Sequence, residues 1–482
     1  MRRFLIGLGA IFAVATMGVA AERDAQACGG CFHPPEPPGE DPSMVTSHRM
    51  ILSISSKQTT LYDQIKYSGN PKEFAWVLPI SGLAKVGLSA DIVFSTIGSM
   101  TQTSVNPPPM NCPPMPRGCP IAESASDSRG AAGNAPPSIM DASAAMDAGS
   151  VTVTKEETVG PYETVQLHSS DPAALNTWLE GHGYLIPDDV KPIIFAYVAE
   201  HFDFLALKLA PGQGVSSMRP VRVTTPGASP NLPLRMVAAG TGATVGITLW
   251  VIGEGRWEPQ NFPSFAIAAK DLVWDWKTSS SNMAQLRADR TAASNGRGWE
   301  VENSTTIFAS QIENTITYAS FPQYDAGADY LGVDGGDGGA AETPSQVRKD
   351  DIDTLFSGMG AASVRITRLR SDLAHAALAT DLVLQAAADQ SELPLMRNIT
   401  KEANEPMCPI YQGCDIIGQG PRSQAAAAAA AAQDTVNHAN GDSFSCNTSP
   451  KKDPGATVAF GALAGLLGIA AVRHRKRTRR NG

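Results

Sequence analysis

The chain has 482 residues, 43% of them hydrophobic, with a formal net charge of −9. Residues 28–446 hold 27 Lys and Arg against 44 Asp and Glu, a net charge of −17. So acidic a body excludes a nucleic-acid binder, which needs clustered Lys and Arg to neutralise phosphates. It suits cationic or basic partners.

The first element is an address. Arg2 and Arg3 precede the apolar stretch Phe4 to Ala21, a charged break follows at Glu22, Arg23 and Asp24, and Ala25-Gln26-Ala27 offers small residues for cleavage. This pattern predicts a secretory signal over residues 1–27, cut by signal peptidase after Ala27 to leave Cys28 as the first mature residue. A lipoprotein signal is the rival reading, but Ala25 stands where that signal wants a Leu-like side chain.

Cys28-Gly29-Gly30-Cys31 admits three chemistries. A disulfide is the default in an oxidising compartment. A redox dithiol wants a helix start after the motif, whereas Pro34, Pro35, Pro37 and Pro38 follow. A zinc site completed by His33 or His48 lacks the second well-spaced cysteine pair that such sites carry.

Met50 to Ser55 and Thr59 to Tyr67 read as strands, Gly69-Asn70-Pro71 as a turn, and Phe74 to Ile80 as the returning strand. Residues 28–120 are thus expected to form the N-terminal part of an extracytoplasmic domain. Residues 121–150 are Ala, Ser, Asp, Gly and Pro with few large apolar side chains, a disordered insert by composition. The domain resumes over 151–410. Asp171 caps a helix with Pro172 in its first turn and Gly181 at its end. A second helix starts near Asp188 or Asp189, with Val190, Ile193, Ile194, Tyr197 and Val198 on one face.

Phe202 to Leu209 returns as a strand, and the alternation of Val245, Ile247, Leu249 and Val251 predicts a half-buried one. Gly240-Thr241-Gly242 before it reads as a turn, because a strand follows where a phosphate site needs a helix. Residues 325–345 read as a flexible loop; its Asp325, Asp329, Asp334 and Asp337 do not have EF-hand spacing for calcium. Val364 to Leu369 and Leu378 to Leu384 add strand-like segments. Strands dominate, so the expected class is α+β with a largely antiparallel sheet and a few helices.

Residues 411–454, with the polyalanine run Ala425 to Ala432, read as a stalk. Residues 455–472 are uncharged and apolar, long enough for a single transmembrane helix. Arg473, Arg475, Lys476, Arg477, Arg479 and Arg480 make residues 473–482 a basic cytoplasmic tail under the positive-inside rule. Membrane lipid is therefore an expected partner of the C-terminus.

Seven cysteines complete the inventory: Cys28, Cys31, Cys112, Cys119, Cys408, Cys414 and Cys446. The first six fall in near pairs, and local bonding would join 28 to 31, 112 to 119 and 408 to 414, although fifteen pairings are possible. No G-x-S-x-G, H-E-x-x-H or phosphate-binding loop is present, and no cofactor is implied. His182 between glycines reads as an exposed turn and His201 as a helix end, while a Ser-His-Asp set assembled only in space leaves no local signature.

Two resemblances follow from these residues. Cys446, the spacer Asn447 to Pro454, the apolar span and the Arg-rich end resemble the myxobacterial C-terminal sorting domain, MYXO-CTERM. That likeness implies a sorting protease acting near Cys446 and display at the cell surface. CGGCF at Cys28 to Phe32, HRM at His48, Leu61 to Gly69, and Phe74 to Pro79 resemble the domain-of-unknown-function family 2330, as do Trp178 to Tyr184, Phe204 to Lys208 and Thr367 to Arg370. This second likeness spans most of residues 28–400, brings no catalytic residue and implies that CGGC is a structural bridge. An exported, anchored binding or structural protein of the cell envelope is the preferred expectation, ahead of an envelope hydrolase and a thiol-disulfide protein.

Overall fold

The computed structural model describes residues 30–32, 44–68, 75–117, 119, 151–318 (apart from 185, 187, 189, 212, 214–217, 239 and 240) and 343–441. The chain divides into two units, Met1–Asn111 with Ser124–Met407 and Cys112–Glu123 with Cys408–Gly482.

The first unit opens with β1 (Gly30–Phe32), β2 (Met44–Ile54), β3 (Gln58–Ser68), β4 (Ala75–Ile80), β5 (Lys85–Leu88), α1 (Asp91–Met100) and β6 (Ser104–Asn106). The hairpin β7 (Val151–Val159) and β8 (Tyr162–Ser169) leads to α2 (Pro172–Gly181), α3 (Lys191–Ala199), β9 (Asp203–Leu209), β10 (Val221–Pro226), β11 (Asn231–Leu232), α4 (Leu234–Val237) and β12 (Thr241–Gly253). Then come β13 (Trp257–Pro259), β14 (Ser264–Phe265), β15 (Val273–Asp275), β16 (Ser280–Ser281), α5 (Met283–Ala293), β17 (Trp299–Phe308), α6 (Ala309–Tyr318) and α7 (Pro344–Leu355). The unit ends with β18 (Ser363–Ala374), β19 (Leu382–Ala386), β20 (Met396–Asn398) and β21 (Lys401–Glu402).

Two sheets organise this unit, one of eight strands in the order β14-β17-β18-β12-β2-β3-β10-β5 and one of five in the order β1-β4-β9-β8-β7. Their facing sides share one core. Met50, Leu52, Leu61, Leu249 and Val251 of the larger sheet pack with Trp76, Leu78, Tyr162, Leu205 and Leu207 of the smaller. The far side of the larger sheet carries Ile51, Tyr62, Trp250 and Ile366 and is covered by Phe94, Ile97, Ile312, Ile316 and Leu355 from α1, α6 and α7. The far side of the smaller sheet buries Val77, Leu167, Phe204 and Ala206 under Leu175, Leu179, Ile194 and Tyr197 from α2 and α3. The result is helices, sheet, sheet, helices, an α+β arrangement in which strands dominate.

This layering explains where sequence expectation and structure part. Both faces of β12 are covered, so Trp250 and Ile252 are as buried as Leu249 and Val251, and the strand is not half-buried. β4 does not return beside β3; it lies in the smaller sheet between β1 and β9. All six of its residues are buried, so its apolar run reflects cover on both faces, not a hairpin return. Leu378 to Leu384 is split between a 3-10 turn over His375–Ala379 and β19. α2 follows the expected rule: the Asp171 side chain accepts from the Ala173 and Ala174 N–H groups, and Pro172 sits in the first turn. Most ladders are antiparallel, but β12 runs parallel to β2.

The second unit comprises β22 (Met407–Gln412), β23 (Asp415–Pro421), the helix α8 (Arg422–Gly441) and the chain around Cys112 and Cys119. The polyalanine run is helical and lies within α8, as alanine's propensity requires. Among the described residues no helix is long and apolar enough to cross a membrane. Residues 1–29, 121–150, 325–342 and 442–482, and with them the expected signal, insert, most of the loop, the apolar span and the basic tail, lie outside the described residues.

Candidate functional site

The site begins with a mismatch of strand lengths. β3 pairs with β2 as far as Ser68, but on its other side β10 begins only at Val221, opposite Asp63. From Gln64 onward β3 therefore has no ladder partner on that side among the described residues. The sheet is notched there, and a cavity of about 180 Å³ occupies the notch. Its walls come from β3 (Asp63, Gln64 and Ile65), from the smaller sheet (Trp76, Tyr162 and Leu207) and from the approach to β10 (Met218 to Val221), with Asp91 at the start of α1.

Asp63 faces the inter-sheet core. A bulge between Val45 and Ser47 shifts the register of β2, which lets Val45 and His48 both turn inward. His48 stands opposite Ile65 and therefore diagonal to Asp63 on the same face. Its Nδ1 lies 3.3 and 3.2 Å from the two Asp63 carboxylate oxygens, and each side chain is only 1% exposed. Among the described residues no hydroxyl or thiol bonds to His48. The pair has the arrangement of a base and its orienting carboxylate, without a nucleophile and without room for a substrate at the imidazole. In this position it does structural work beside the cavity that Asp63 helps to line.

Around it the polar groups differ in how well they are met. Tyr162 Oη accepts from the Arg219 backbone N–H at 2.8 Å and donates to the Arg219 carbonyl at 2.7 Å, fixing the approach to β10. Asp91 accepts from Gln64 Nε2, and Gln64 in turn accepts from Arg49 at 2.9 Å. Among the described residues the Trp76 indole N–H has no acceptor, although the residue is 1% exposed. A buried donor left unmet normally costs about 1–3 kcal/mol.

Two other buried carboxylates in this unit, Asp351 and Asp381, are held by several partners each. Asp351 on α7 accepts from Arg222 Nη1 at 2.7 Å, from Ser89 Oγ at 3.1 Å and from the Ala90 N–H at 2.8 Å. Tyr62 Oη donates to the Asp351 carbonyl at 3.0 Å, so α7 is latched to the larger sheet. Burial pushes the Asp351 carboxyl up to about 7 against the opposing pull of Arg222 and the two hydrogen-bond donors. Asp381 takes Tyr197 Oη at 2.7 Å and Arg235 Nε at 2.8 Å, and Arg235 also grips Glu200 at 2.8 and 2.7 Å. Arg287 bridges Glu300 and Glu302.

The cysteines correct the local pairing expected from their spacing. Cys112 is bonded to Cys408 and Cys119 to Cys414, across 296 and 295 residues. Near neighbours in sequence are thus bonded to distant partners in matching order. The backbone of Cys31 lies in β1 opposite Trp76, whereas Cys28, Ala27, His33 and Cys446 lie outside the described residues. Among the described residues no group of three or more His, Cys, Asp or Glu is placed to hold a metal ion. His182 is not an exposed turn: it is half-buried, stacked 3.8 Å from Trp178, with Nδ1 2.7 Å from the Trp178 carbonyl. His201 is exposed, with φ of 66°, just past α3. Nothing in the local sequence pointed to the notch, since it arises from where β10 begins.

Fold and site define a two-sheet α+β protein with a small polar cavity at a sheet notch and a long-range disulfide ladder. The chain belongs to the family described as "Uncharacterized protein conserved in bacteria (DUF2330)", which matches residues 23–320. The match ends before Thr367 to Arg370, so those residues do not carry the likeness. No curated protein and no solved structure matches the chain.

Proposed function

We propose that this protein is an exported binding module of the cell envelope, held at a membrane by its C-terminus. The observation that carries the binding reading is the notch, where Asp63, Gln64, Asp91 and Arg219 help line one cavity of about 180 Å³. Asp351 and Asp381, in contrast, are spent on partners within the fold. The two disulfides support export, because such bonds persist in oxidising compartments.

In this reading signal peptidase cuts after Ala27, α8 stands as a stalk, residues 455–472 enter lipid, and residues 473–482 stay cytoplasmic. A sorting protease then acts near Cys446. Two measurements test the proposal. Protease added to intact cells should digest the body, and full protection contradicts surface exposure. A thermal-shift screen of small polar molecules should find one that raises the melting temperature of the wild type but not of Asp63→Asn, since a ligand of the native state alone stabilises it.

A further inference from the structure

We propose that the Cys119–Cys414 bridge is a redox-operated clasp: a dithiol reductant opens it while Cys112–Cys408 stays closed, and opening frees the segment around Arg117 from the turn between β22 and β23. The clasp lies wholly within the second unit and is independent of the cavity.

The two bridges differ in how they can be reached. Cys408 lies in β22 and is 0% exposed, whereas Cys414 is exposed in the turn before β23. Gly413 makes that turn at φ of 59°, and nothing stands within 4 Å of where its Cβ would be, so the turn is open on that side. Cys112 and Cys119 are both half-buried. Exchange needs access to one sulfur and a good leaving group in the other. At Cys112–Cys408 one member is sealed. Attack on the other expels a thiolate into a buried position, where desolvation raises its pKa and makes it a poor leaving group. Cys119–Cys414 has neither obstacle.

In the first step a thiolate of the dithiol attacks Cys414 Sγ. The S–S bond breaks, and its electron pair leaves on Cys119 Sγ, which takes a proton from water. The second thiolate of the dithiol then attacks its own sulfur in the mixed disulfide, closes the reductant's disulfide and releases Cys414 as a thiol. Two electrons and two protons have passed from the dithiol to the bridge.

With Cys112–Cys408 closed, the second bridge closes only the small ring of residues 112–119 and 408–414, so opening it costs the fold little. The segment is then held by Cys112, by the buried Pro116 and by an exposed hydrogen bond of 2.7 Å from the Arg117 N–H to Gln433 Oε1 of α8. Exposed Arg117 is a trypsin site, which makes release measurable.

The test titrates dithiothreitol, a small dithiol, against the full exported chain under native conditions, traps free thiols with N-ethylmaleimide and maps them by peptide mass spectrometry. Cys119 and Cys414 should be trapped together at about tenfold lower dithiothreitol than Cys112 and Cys408. Trypsin cleavage after Arg117 should accelerate about tenfold over the same range, and return to its starting rate once dithiothreitol is exchanged for oxidised glutathione. The double variant Cys119→Ser with Cys414→Ser should show the fast cleavage without reductant. Should that variant not fold, the trapping order in the wild type decides. Cys112 and Cys408 trapped first, or together with the other pair, would overturn the clasp. An unchanged cleavage rate with Cys119 and Cys414 already trapped would overturn its hold on the segment.

Discussion

Cys112 and Cys408, 296 residues apart, are joined by a disulfide, and Cys119 and Cys414 repeat the connection one step further along both segments. The first bond formed closes a loop of nearly 300 residues, which in the chain-entropy account removes ~5–6 kcal/mol of unfolded-state freedom. The second then closes only the small ring between the two bridges, so its added effect is far smaller. Two double variants, Cys112→Ala with Cys408→Ala and Cys119→Ala with Cys414→Ala, should each unfold close to the wild type. Removing all four cysteines should lower the guanidinium midpoint severely. Additive effects of the two double variants would contradict this ordering.

Asp351 makes stability depend on pH in a stated direction. Its folded carboxyl sits at about 7, above the 3.8 of an unperturbed Asp, with burial as the main cause. A raised acid binds its proton more tightly in the folded state, so its contribution is complete below about pH 4 and is lost as pH rises through 7. Unfolding free energy measured from pH 4 to 8 should therefore decline more steeply for the wild type than for Asp351→Asn. Parallel curves for the two proteins would sink the assignment.

Gly160 turns the β7–β8 hairpin at φ of 57°, and a Cβ there would overlap the Leu88 side chain. Left-handed backbone and steric overlap add, so Gly160→Ala should destabilise by about 2–4 kcal/mol. Gly181, which ends α2 and has nothing within 4 Å of its would-be Cβ, is the control; Gly181→Ala should leave the midpoint nearly unchanged.

These elements show how much of the molecule a reader of the sequence can recover. The α2 start is legible because Asp171 and Pro172 act on backbone groups two or three residues away. The alternation in β12 is legible too, but the cover over Trp250 comes from α1, residues 91–100, and periodicity along one strand carries no record of it. β4 is fully apolar and so reads as a strand without revealing which sheet it joins. Cysteine spacing holds no information about a partner nearly 300 residues distant. The notch at Asp63 was the least legible feature, because it depends on β10 starting at Val221 and on a bulge that turns His48 inward.

His48 and Asp63 offer the most direct test of how that core is built. Both side chains are 1% exposed and meet through Nδ1 at 3.2 Å. Removing one member leaves the other buried without its partner, which typically costs 3–5 kcal/mol, whereas replacing both by apolar residues restores a matched environment. His48→Leu alone should therefore be strongly destabilising, and His48→Leu combined with Asp63→Leu should recover most of the loss, giving a large coupling energy in a double-mutant cycle. The double variant should therefore still fold cooperatively. If the two single losses simply add, the pair is not a unit, and the carboxylate at the notch is held there by something other than His48.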